Sequence, residues 1–302
     1  MKKSAWGITF VLAMGMAADR LSAMDALGGA AGYLRSGAGA RALGMGGAAV
    51  ALVDDVTATV WNPAGLTRLG VYGTQIGSMV SFLTQDRSLN YLALGQHFEG
   101  IGDFGITVQH FSMEKIEGFD AAGNSTGFFS DQEAALGLSY ANSLGYQFRY
   151  GVTARGLYHG LADAKAYGYG ADLGFQYQPS LASDFIIGAN MQNPLAGLTW
   201  DSGRQDVVTP LLKLGLSDKY LNQRFAIAAD LDVPLAGDGV MSPHLGAELW
   251  LVEGLAARVG LNRKDLSAGA TWRYEFYQFD YAYVMSAQQW GDAQQISLIL
   301  RF

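Results

Sequence analysis

From about residue 71 to the C-terminal Phe302, apolar and polar side chains alternate with a period of two. This period predicts β-strands with two different faces, because successive side chains of a strand point to opposite sides. In 266–276, for example, Trp272 and Tyr274 fall on one face and Arg273 on the other. The pattern predicts an all-β fold with fourteen strands, at about 71–84, 88–98, 103–113, 130–141, 144–158, 165–178, 183–191, 207–217, 222–233, 242–252, 255–262, 266–276, 277–286 and 294–302.

A soluble β-sandwich also alternates, with its apolar face packed inward and its polar face in water. Two features favour a membrane barrel: aromatic residues cluster towards the strand ends, and the opposite face is rich in glycine and in charges of both signs. Strands of about ten residues match a tilted crossing of the hydrocarbon core. Because lipid cannot satisfy an open sheet edge, we expect a closed 14-stranded antiparallel transmembrane β-barrel in the bacterial outer membrane.

The final predicted strand ends on an aromatic residue after an alternating apolar series, which consists of Ile296, Leu298, Leu300 and Phe302. Such an ending resembles the signal that the outer-membrane barrel assembly machinery reads. We therefore expect this machinery as a partner during biogenesis and outer-membrane lipid as the permanent surroundings of the barrel.

The N-terminus has the features of an export signal. Lys2 and Lys3 precede an apolar run at 6–18, which Asp19 ends after about 13 residues, too few to span a bilayer. We expect a signal peptide at 1–23, an N-terminal hatch at 24–69 and the barrel at 70–302.

The segment at 36–69 is made largely of small residues. A stretch this rich in glycine is a poor free helix, so it must be packed against another part of the protein. Asp55 is a candidate N-cap for a short helix at about 56–61, and Asn62-Pro63 would end that helix. Gly44-x-Gly46-x-x-Ala49 fits a loose dinucleotide-binding pattern, but the strand before it and the distant acidic residue that this motif needs are missing.

Three parts of this segment carry a family resemblance: Gly-Ala-Arg-Ala-Leu-Gly-Met-Gly-Gly-Ala at 39–48, Asp-Asp at 54–55 and Trp-Asn-Pro-Ala-Gly-Leu at 61–66. Together they resemble the N-terminal region of the PorV/PorQ family and, more distantly, of the FadL family of outer-membrane transporters. In those families the segment is a hatch of short helices that plugs the lumen of a 14-stranded barrel. The resemblance implies that the hatch or gate residues are Arg41, Asp54, Asp55, Trp61, Asn62, Pro63 and Ala64.

No pattern of residues indicates catalysis. The run Gly-Asn-Ser-Thr-Gly at 123–127 matches a hydrolase motif, but it lies in a predicted polar loop, whereas the motif requires a strand–turn–helix elbow. The four histidines are scattered and lack the spacing of a metal site. The formal net charge of −7 argues against nucleic acid as a partner. We expect a non-enzymatic protein without cofactor, metal or nucleic acid.

Many charged residues alternate towards the predicted lumen: Glu133, Arg149, Arg155, Asp172, Lys213, Asp230, Asp232, Glu248, Arg258, Arg273, Glu275 and Asp280. They could pair with one another and anchor the hatch, or they could form a gate in which Arg41 or the Asp54–Asp55 pair contacts the wall. Anchoring is favoured because buried charges are normally paired. Two long loops, at 114–129 and 192–206, are expected at the outer mouth of the barrel.

Two functions remain open at this stage. In the first, the barrel passes or binds a small hydrophobic molecule through a hatch-gated lumen, and Leu43, Met45 and Trp61 line its path, although ordinary hatch packing explains these three equally well. The second follows from the closer resemblance to PorV/PorQ. It is an accessory barrel of a type IX-like protein secretion system, which binds a translocon or exported cargo.

Overall fold

In the computed structural model of the protein, residues 29–71, 73–237, 239–263, 265–286 and 291–302 are described. The predicted signal peptide at 1–23 lies outside them. In the described part of the chain four short helices come first: a 3-10 helix at Gly32–Ser36, α1 at Ala40–Gly44, α2 at Ala58–Trp61 and a 3-10 helix at Pro63–Val71. None of the described helices is long and apolar enough to cross a membrane.

Within the described ranges, sixteen strands follow the helices. They are β1 (Thr74–Phe82), β2 (Arg87–Phe98), β3 (Gly102–Phe119), β4 (Ser125–Leu144), β5 (Phe148–Leu161), β6 (Ala164–Tyr177), β7 (Ile186–Gln192), β8 (Gly197–Trp200), β9 (Gln205–Val207), β10 (Leu211–Tyr220), β11 (Phe225–Pro234), β12 (Ser242–Val252), β13 (Leu255–Asn262), β14 (Asp265–Tyr274), β15 (Tyr277–Met285) and β16 (Ala293–Arg301).

Fourteen of these strands form one closed antiparallel barrel, which confirms the predicted fold class. Neighbours in sequence pair in turn, and β1 closes the ring by pairing with β16, where Ile76 lies opposite Leu300. β7 pairs directly with β10. β8 and β9 stand outside the ring as a short hairpin that extends β6, with Gly168 opposite Leu198.

The period of two sorts the side chains between the lumen and the outer surface. In β2, Leu92 is 54% exposed on the outer surface, whereas the neighbouring Tyr91 is 3% exposed in the lumen. Aromatic residues of β14 and β15 also face outward, and Trp272 stacks on Phe279 with 5.6 Å between ring centroids. The outer surface is therefore apolar and partly aromatic, and the lumen holds most of the polar side chains.

Lumenal glycines make room for the hatch. A Cβ atom added at Gly77 would lie 2.5 Å from the side chain of Val56, and one at Gly246 would lie 2.5 Å from the carbonyl oxygen of Met45. Real Cβ atoms do not come this close, so the hatch occupies space that only glycine leaves free. We call the wall residues with such hatch contacts the lumenal glycine ring: Gly77, Gly95, Gly105, Gly151, Gly174, Gly188, Gly215, Gly246 and Gly260.

The segment at 114–129 is not the predicted loop. β3 continues to Phe119 and β4 begins at Ser125, because cross-strand pairs such as Ile116–Phe129 prolong the ladder beyond the barrel. This hairpin extension is open to solvent, with Phe119 62% exposed and Phe128 71% exposed. The β8–β9 hairpin instead turns Leu198 into the buried cluster that contains Tyr33 of the hatch.

Candidate functional site

The two α-helices of the hatch, α1 and α2, follow the 3-10 helix Gly32–Ser36 and are joined by the segment 45–57. Gly46 follows α1 with a φ of +68°, and its backbone lies against Leu261 of the wall, so a side chain there would be strained and would clash. The second helix starts at Ala58, slightly later than predicted. Asp55 is not its N-cap: its carboxylate accepts a hydrogen bond from the backbone N–H of Thr57 (2.9 Å), and Thr57 occupies the cap position.

Arg41, on α1, joins the hatch to the barrel wall. Its Nε and Nη2 donate to the two carboxylate oxygens of Glu248 (2.9 and 3.0 Å), and its Nη1 donates to Asp54 (2.5 Å). A bidentate contact of this kind fixes both position and orientation. Glu248 also accepts from Nε of Arg258 (2.7 Å), and Arg258 lies 3.3 Å from Asp280. We call this series of five residues the Arg41 ion-pair chain.

Asp54 forms one end of the Arg41 ion-pair chain. It accepts a hydrogen bond from Nζ of Lys219 on β10 (3.2 Å) as well as from Arg41. Burial alone would raise the pKa of the Asp54 carboxyl, but the charges of Arg41, Lys219 and Arg68 outweigh burial and hold that pKa well below its usual value. Asp54 is therefore ionised at neutral pH. The neighbouring Asp55 lies 3.7 Å from Arg41 and is almost fully buried.

The Asn62-Pro63-Ala64 tip lies on the opposite side of the lumen. The side-chain amide of Asn62 donates to the carbonyl oxygens of Val50 (2.8 Å) in the hatch and of Phe175 (3.0 Å) in β6. Pro63 presses against two members of the lumenal glycine ring, Gly151 and Gly174. Asn62 and Ala64 are fully buried, so the tip is wedged between the hatch and the wall.

Neutral side chains of the wall hold the hatch backbone on the same side. Asn190 donates to the carbonyl oxygen of Trp61 (2.9 Å), and Gln192 donates to that of Val60 (2.8 Å). Gln176 donates to the carbonyl oxygen of Val50 (3.1 Å). We call these three contacts and those of Asn62 the amide contacts. These wall amides are not among the predicted site residues. The signal for them in the sequence is the alternation, which places uncharged polar residues in the lumen.

One wall carboxylate binds the hatch backbone directly. Asp230 accepts hydrogen bonds from the N–H groups of Ala49 (2.7 Å) and Val50 (2.8 Å). The other lumenal charges mostly pair with each other: Arg155 with Asp172, and Lys213 with Asp232.

Three of the predicted lumenal charges are less enclosed. Arg149 and Arg273 are half-buried, and Glu275 lies exposed in the connection between β14 and β15.

The hatch separates two cavities. We call the end with short turns at 221–224, 253–254 and 275–276 the turn end, and the opposite end, with the β3–β4 extension, the loop end. The turn-end cavity is about 980 Å³ and lined by charged groups, among them Arg41 and Glu248. The loop-end cavity is about 280 Å³ and combines apolar residues with polar ones and with charged ones, among them Lys213, Asp232 and Arg263.

The predicted ligand-lining residues divide between two places. Leu43 and Trp61 line the loop-end cavity, together with Leu89 of the wall. The indole N–H of Trp61 donates to the carbonyl oxygen of Ala38 (2.6 Å), and the ammonium of Lys213 lies 5.1 Å from the Trp61 ring. Met45 is fully buried against Gly246 and does not reach this cavity.

The predicted assembly-signal residues, Ile296, Leu298, Leu300 and Phe302, lie at the seam between β1 and β16. Ile296 is half exposed on the outer surface, and the backbone N–H of Phe302 donates to the carbonyl oxygen of Thr74 (2.9 Å). Their role in assembly remains a prediction.

The fold resembles solved structures of hydrocarbon channels. The Ralstonia pickettii toluene transporter TbuX matches with a TM-score of 0.65 and 16% identity, over 88% of this chain and 98% of that chain. The CymD monoaromatic hydrocarbon channel matches with a TM-score of 0.65 and 14% identity, over 88% and 98%. A Pseudomonas aeruginosa FadL homologue matches with a TM-score of 0.57 and 9% identity, over 83% and 95%.

The fold is that of the FadL-like barrels. At such low identities the likeness establishes the fold alone. No protein-family profile and no curated protein matches the chain.

Proposed function

We propose that this protein is a non-enzymatic outer-membrane barrel that passes a small hydrophobic molecule through a lumen closed by the hatch. The asymmetry of the two cavities carries this proposal. The loop-end cavity presents Leu43, Trp61 and Leu89 to an incoming ligand, whereas charged groups dominate the turn-end cavity. A mainly apolar pocket with a few polar groups is the usual form of a small-molecule site.

The size of the loop-end cavity indicates the class of ligand. Its volume of about 280 Å³ lies just below the range for ligand sites, about 300–1,000 Å³. A compact compound such as a monoaromatic hydrocarbon suits this space better than a long acyl chain. TbuX is described as a toluene transporter and CymD as a monoaromatic hydrocarbon channel, which supports the same class.

The outer surface supports the membrane location. Apolar residues of successive strands, such as Leu92, Ile106 and Leu138, are about half exposed on that surface. A lipid-facing band is the ordinary explanation for such a surface on a closed barrel.

Equilibrium binding of toluene to the purified barrel in detergent tests the proposal. Leu89→Trp places a larger side chain in the loop-end cavity and should weaken toluene binding by at least tenfold. The matched control is Leu136→Trp, because Leu136 faces outward on β4 and is exposed. No saturable binding by the unmodified protein, or equal binding by both variants, would contradict the proposal.

A second candidate function is an accessory barrel of a protein secretion system, as in the PorV/PorQ families that the hatch sequence resembles. The exposed aromatic residues of the β3–β4 extension, Phe119 and Phe128, favour it because they lie beyond the barrel, where a protein partner could bind.

Gentle detergent extraction from the native membrane, followed by mass spectrometry, separates the two functions. A stoichiometric translocon component or cargo protein that is lost in Phe119→Ser/Phe128→Ser would support secretion. A hydrophobic compound in the absence of a large partner would support passage.

A further inference from the structure

We propose that Glu133 and His159 form a binding site for a divalent transition-metal ion, with Asp131 orienting the histidine. The three residues come from adjacent strands at the loop-end half of the wall: Asp131 and Glu133 from β4, and His159 from β5. Glu133 and His159 are direct cross-strand partners, so the barrel register brings their side chains together.

The hydrogen bonding of His159 prepares one ring nitrogen for a metal. Nε2 of His159 lies 2.8 Å from Oδ1 of Asp131. When Nε2 carries the proton and donates it to Asp131, Nδ1 has a free lone pair. Metal-binding histidines commonly donate their second ring N–H to a carboxylate in this way, which fixes the tautomer and the ring orientation.

Buried polar atoms at this point have no hydrogen-bond partner among the described residues. They include Oε2 of Glu133 and Nδ1 of His159, which lie 4.0 Å apart. Glu133 is only 8% exposed, so water cannot replace the hydrogen bonds that its carboxylate lacks. Two unpartnered electron-pair donors that face each other in a buried place require a cation between them, either a proton on one of the two groups or a metal ion.

The spacing suits a metal ion. Bonds from Zn²⁺ to imidazole nitrogen and carboxylate oxygen are about 2.0–2.2 Å long. A tetrahedral ion with such bonds holds two ligand atoms about 3.4 Å apart. The 4.0 Å between Nδ1 and Oε2 must therefore shorten by about 0.6 Å when the ion binds, which small side-chain rotations supply. An imidazole with carboxylates favours Zn²⁺ and similar ions over Ca²⁺ or Mg²⁺, which prefer oxygen ligands.

Neighbouring side chains cover Glu133 and His159 on one side, and the other side is open towards the loop end. The ring of Trp200, from the β8–β9 hairpin, lies 4.9 Å from the ring of His159. The Tyr33 hydroxyl of the hatch is also buried without a partner among the described residues. Asp131 is more exposed than the other two residues, so an ion can reach the site from the loop end.

Calorimetric titration of the metal-free, full-length barrel with Zn²⁺ tests the site, with Co²⁺ absorption as a second readout of imidazole coordination. We expect one ion per chain. His159→Gln and Glu133→Gln should each weaken Zn²⁺ binding by at least 100-fold. Asp131→Asn should weaken it by about 10–100-fold, as expected for a residue that orients a ligand.

The matched control is His97→Gln. His97 also pairs with an aspartate, Asp103, at 2.8 Å, but no second carboxylate completes that pair among the described residues. This variant should bind Zn²⁺ as the unmodified protein does, and circular dichroism should show a folded barrel in all variants. Absence of stoichiometric Zn²⁺ binding, or binding that survives both His159→Gln and Glu133→Gln, would overturn the proposal and leave a proton shared between His159 and Glu133.

Discussion

The two sides of the hatch are held by different chemistry. On one side α1 packs on β13–β16, and the Arg41 ion-pair chain joins Arg41 to Glu248 and Arg258. On the other side the 3-10 helix Pro63–Val71 packs on β1–β6, and the amide contacts join Asn62 and its neighbours to the wall. The ionic side depends on every member of a charged series, whereas the amide side consists of separate neutral hydrogen bonds.

This difference predicts unequal consequences of substitution. Removing one member of a buried charged series leaves another charge unpaired, which costs more than a lost neutral hydrogen bond. If the hatch moves during passage, the ionic side is the one that a change in charge can release. The amide side would then act as the fixed attachment.

Charge reversal at Arg41 should have the largest effect. Arg41→Glu places a carboxylate beside Glu248, Asp54 and Asp55, so that like charges repel where the hatch meets the wall. We expect a higher single-channel conductance in planar lipid bilayers. Arg204→Glu is the control because Arg204 is exposed in the β8–β9 turn, where it pairs with Asp206 and not with a member of the Arg41 ion-pair chain. Conductance equal to that of the unmodified protein would exclude the ionic side as a gate.

Loss of Glu248 should come next. Glu248→Ala leaves Arg41 and Arg258 without their shared partner, and we expect the free energy of unfolding to fall by about 3–5 kcal/mol. Denaturant titration in lipid vesicles measures this loss.

The double variant Arg41→Met/Glu248→Met sharpens the test of Glu248. It replaces the pair by apolar groups, so it should retain much of the stability that Glu248→Ala loses. Equal stability of the two variants would show that the unpaired charge is not the cause.

The lumenal glycine ring predicts a steric effect of intermediate size. A Cβ atom at Gly246 would lie 2.5 Å from the carbonyl oxygen of Met45, and we expect Gly246→Ala to cost about 1–3 kcal/mol in unfolding free energy. Gly156→Ala is the matched control on β5, since a Cβ atom there meets nothing within 4 Å. A cost that is the same for both variants would mean that hatch contact is not responsible.

The amide side should show a smaller loss. Asn62→Ala removes the hydrogen bonds to the carbonyl oxygens of Val50 and Phe175, and we expect a cost of about 1–2 kcal/mol in the same denaturant titration. Asn124→Ala, in the exposed β3–β4 turn, should change stability by less than about 0.5 kcal/mol. A loss for Asn62→Ala as large as that for Glu248→Ala would erase the distinction between the two sides.

The pH dependence should be the smallest effect. The pKa of Asp54 is lower in the folded protein than its usual value of 3.8, so its contribution to stability is present above about pH 4 and is lost as the pH falls through the folded pKa. Denaturant titrations from pH 6 to pH 2 should therefore show a steeper acid loss for the unmodified protein than for Asp54→Asn. Identical slopes would show that the ionised Asp54 does not stabilise the hatch.

Local patterns in the sequence were sufficient to predict the strands and their inward and outward faces. The alternation around Asp230 and Asp232, for example, correctly placed both in the lumen. The alternation does not predict the β3–β4 extension, because Ile116, Phe119 and Phe128 are mixed with polar residues and glycine. That composition is typical of a loop. The β8–β9 hairpin was missed because its strands span only four and three residues.

Partnerships across the lumen could not be predicted in the same way. Asn190 meets the Trp61 carbonyl oxygen, and His159 meets Asp131, only because the barrel closes with a particular register. The period of two predicts which face of the sheet a residue occupies, but it does not predict which residue lies across the lumen from it. The positions of the three residues in the sequence therefore do not indicate that His159, Asp131 and Glu133 form a group.

The seam between β1 and β16 has a consequence for the order of assembly. β1 follows the hatch directly, yet it pairs with β16, which is the strand most distant from the hatch in sequence. The ladder at this seam joins the first and the last barrel strand across the twelve others, and because bringing such distant segments together is slow, we expect this pairing to form last. Because the hatch is enclosed by that last pairing, it must be seated, or at least inside the unclosed sheet, before the seam forms. The hatch must therefore enter the barrel before β1 pairs with β16.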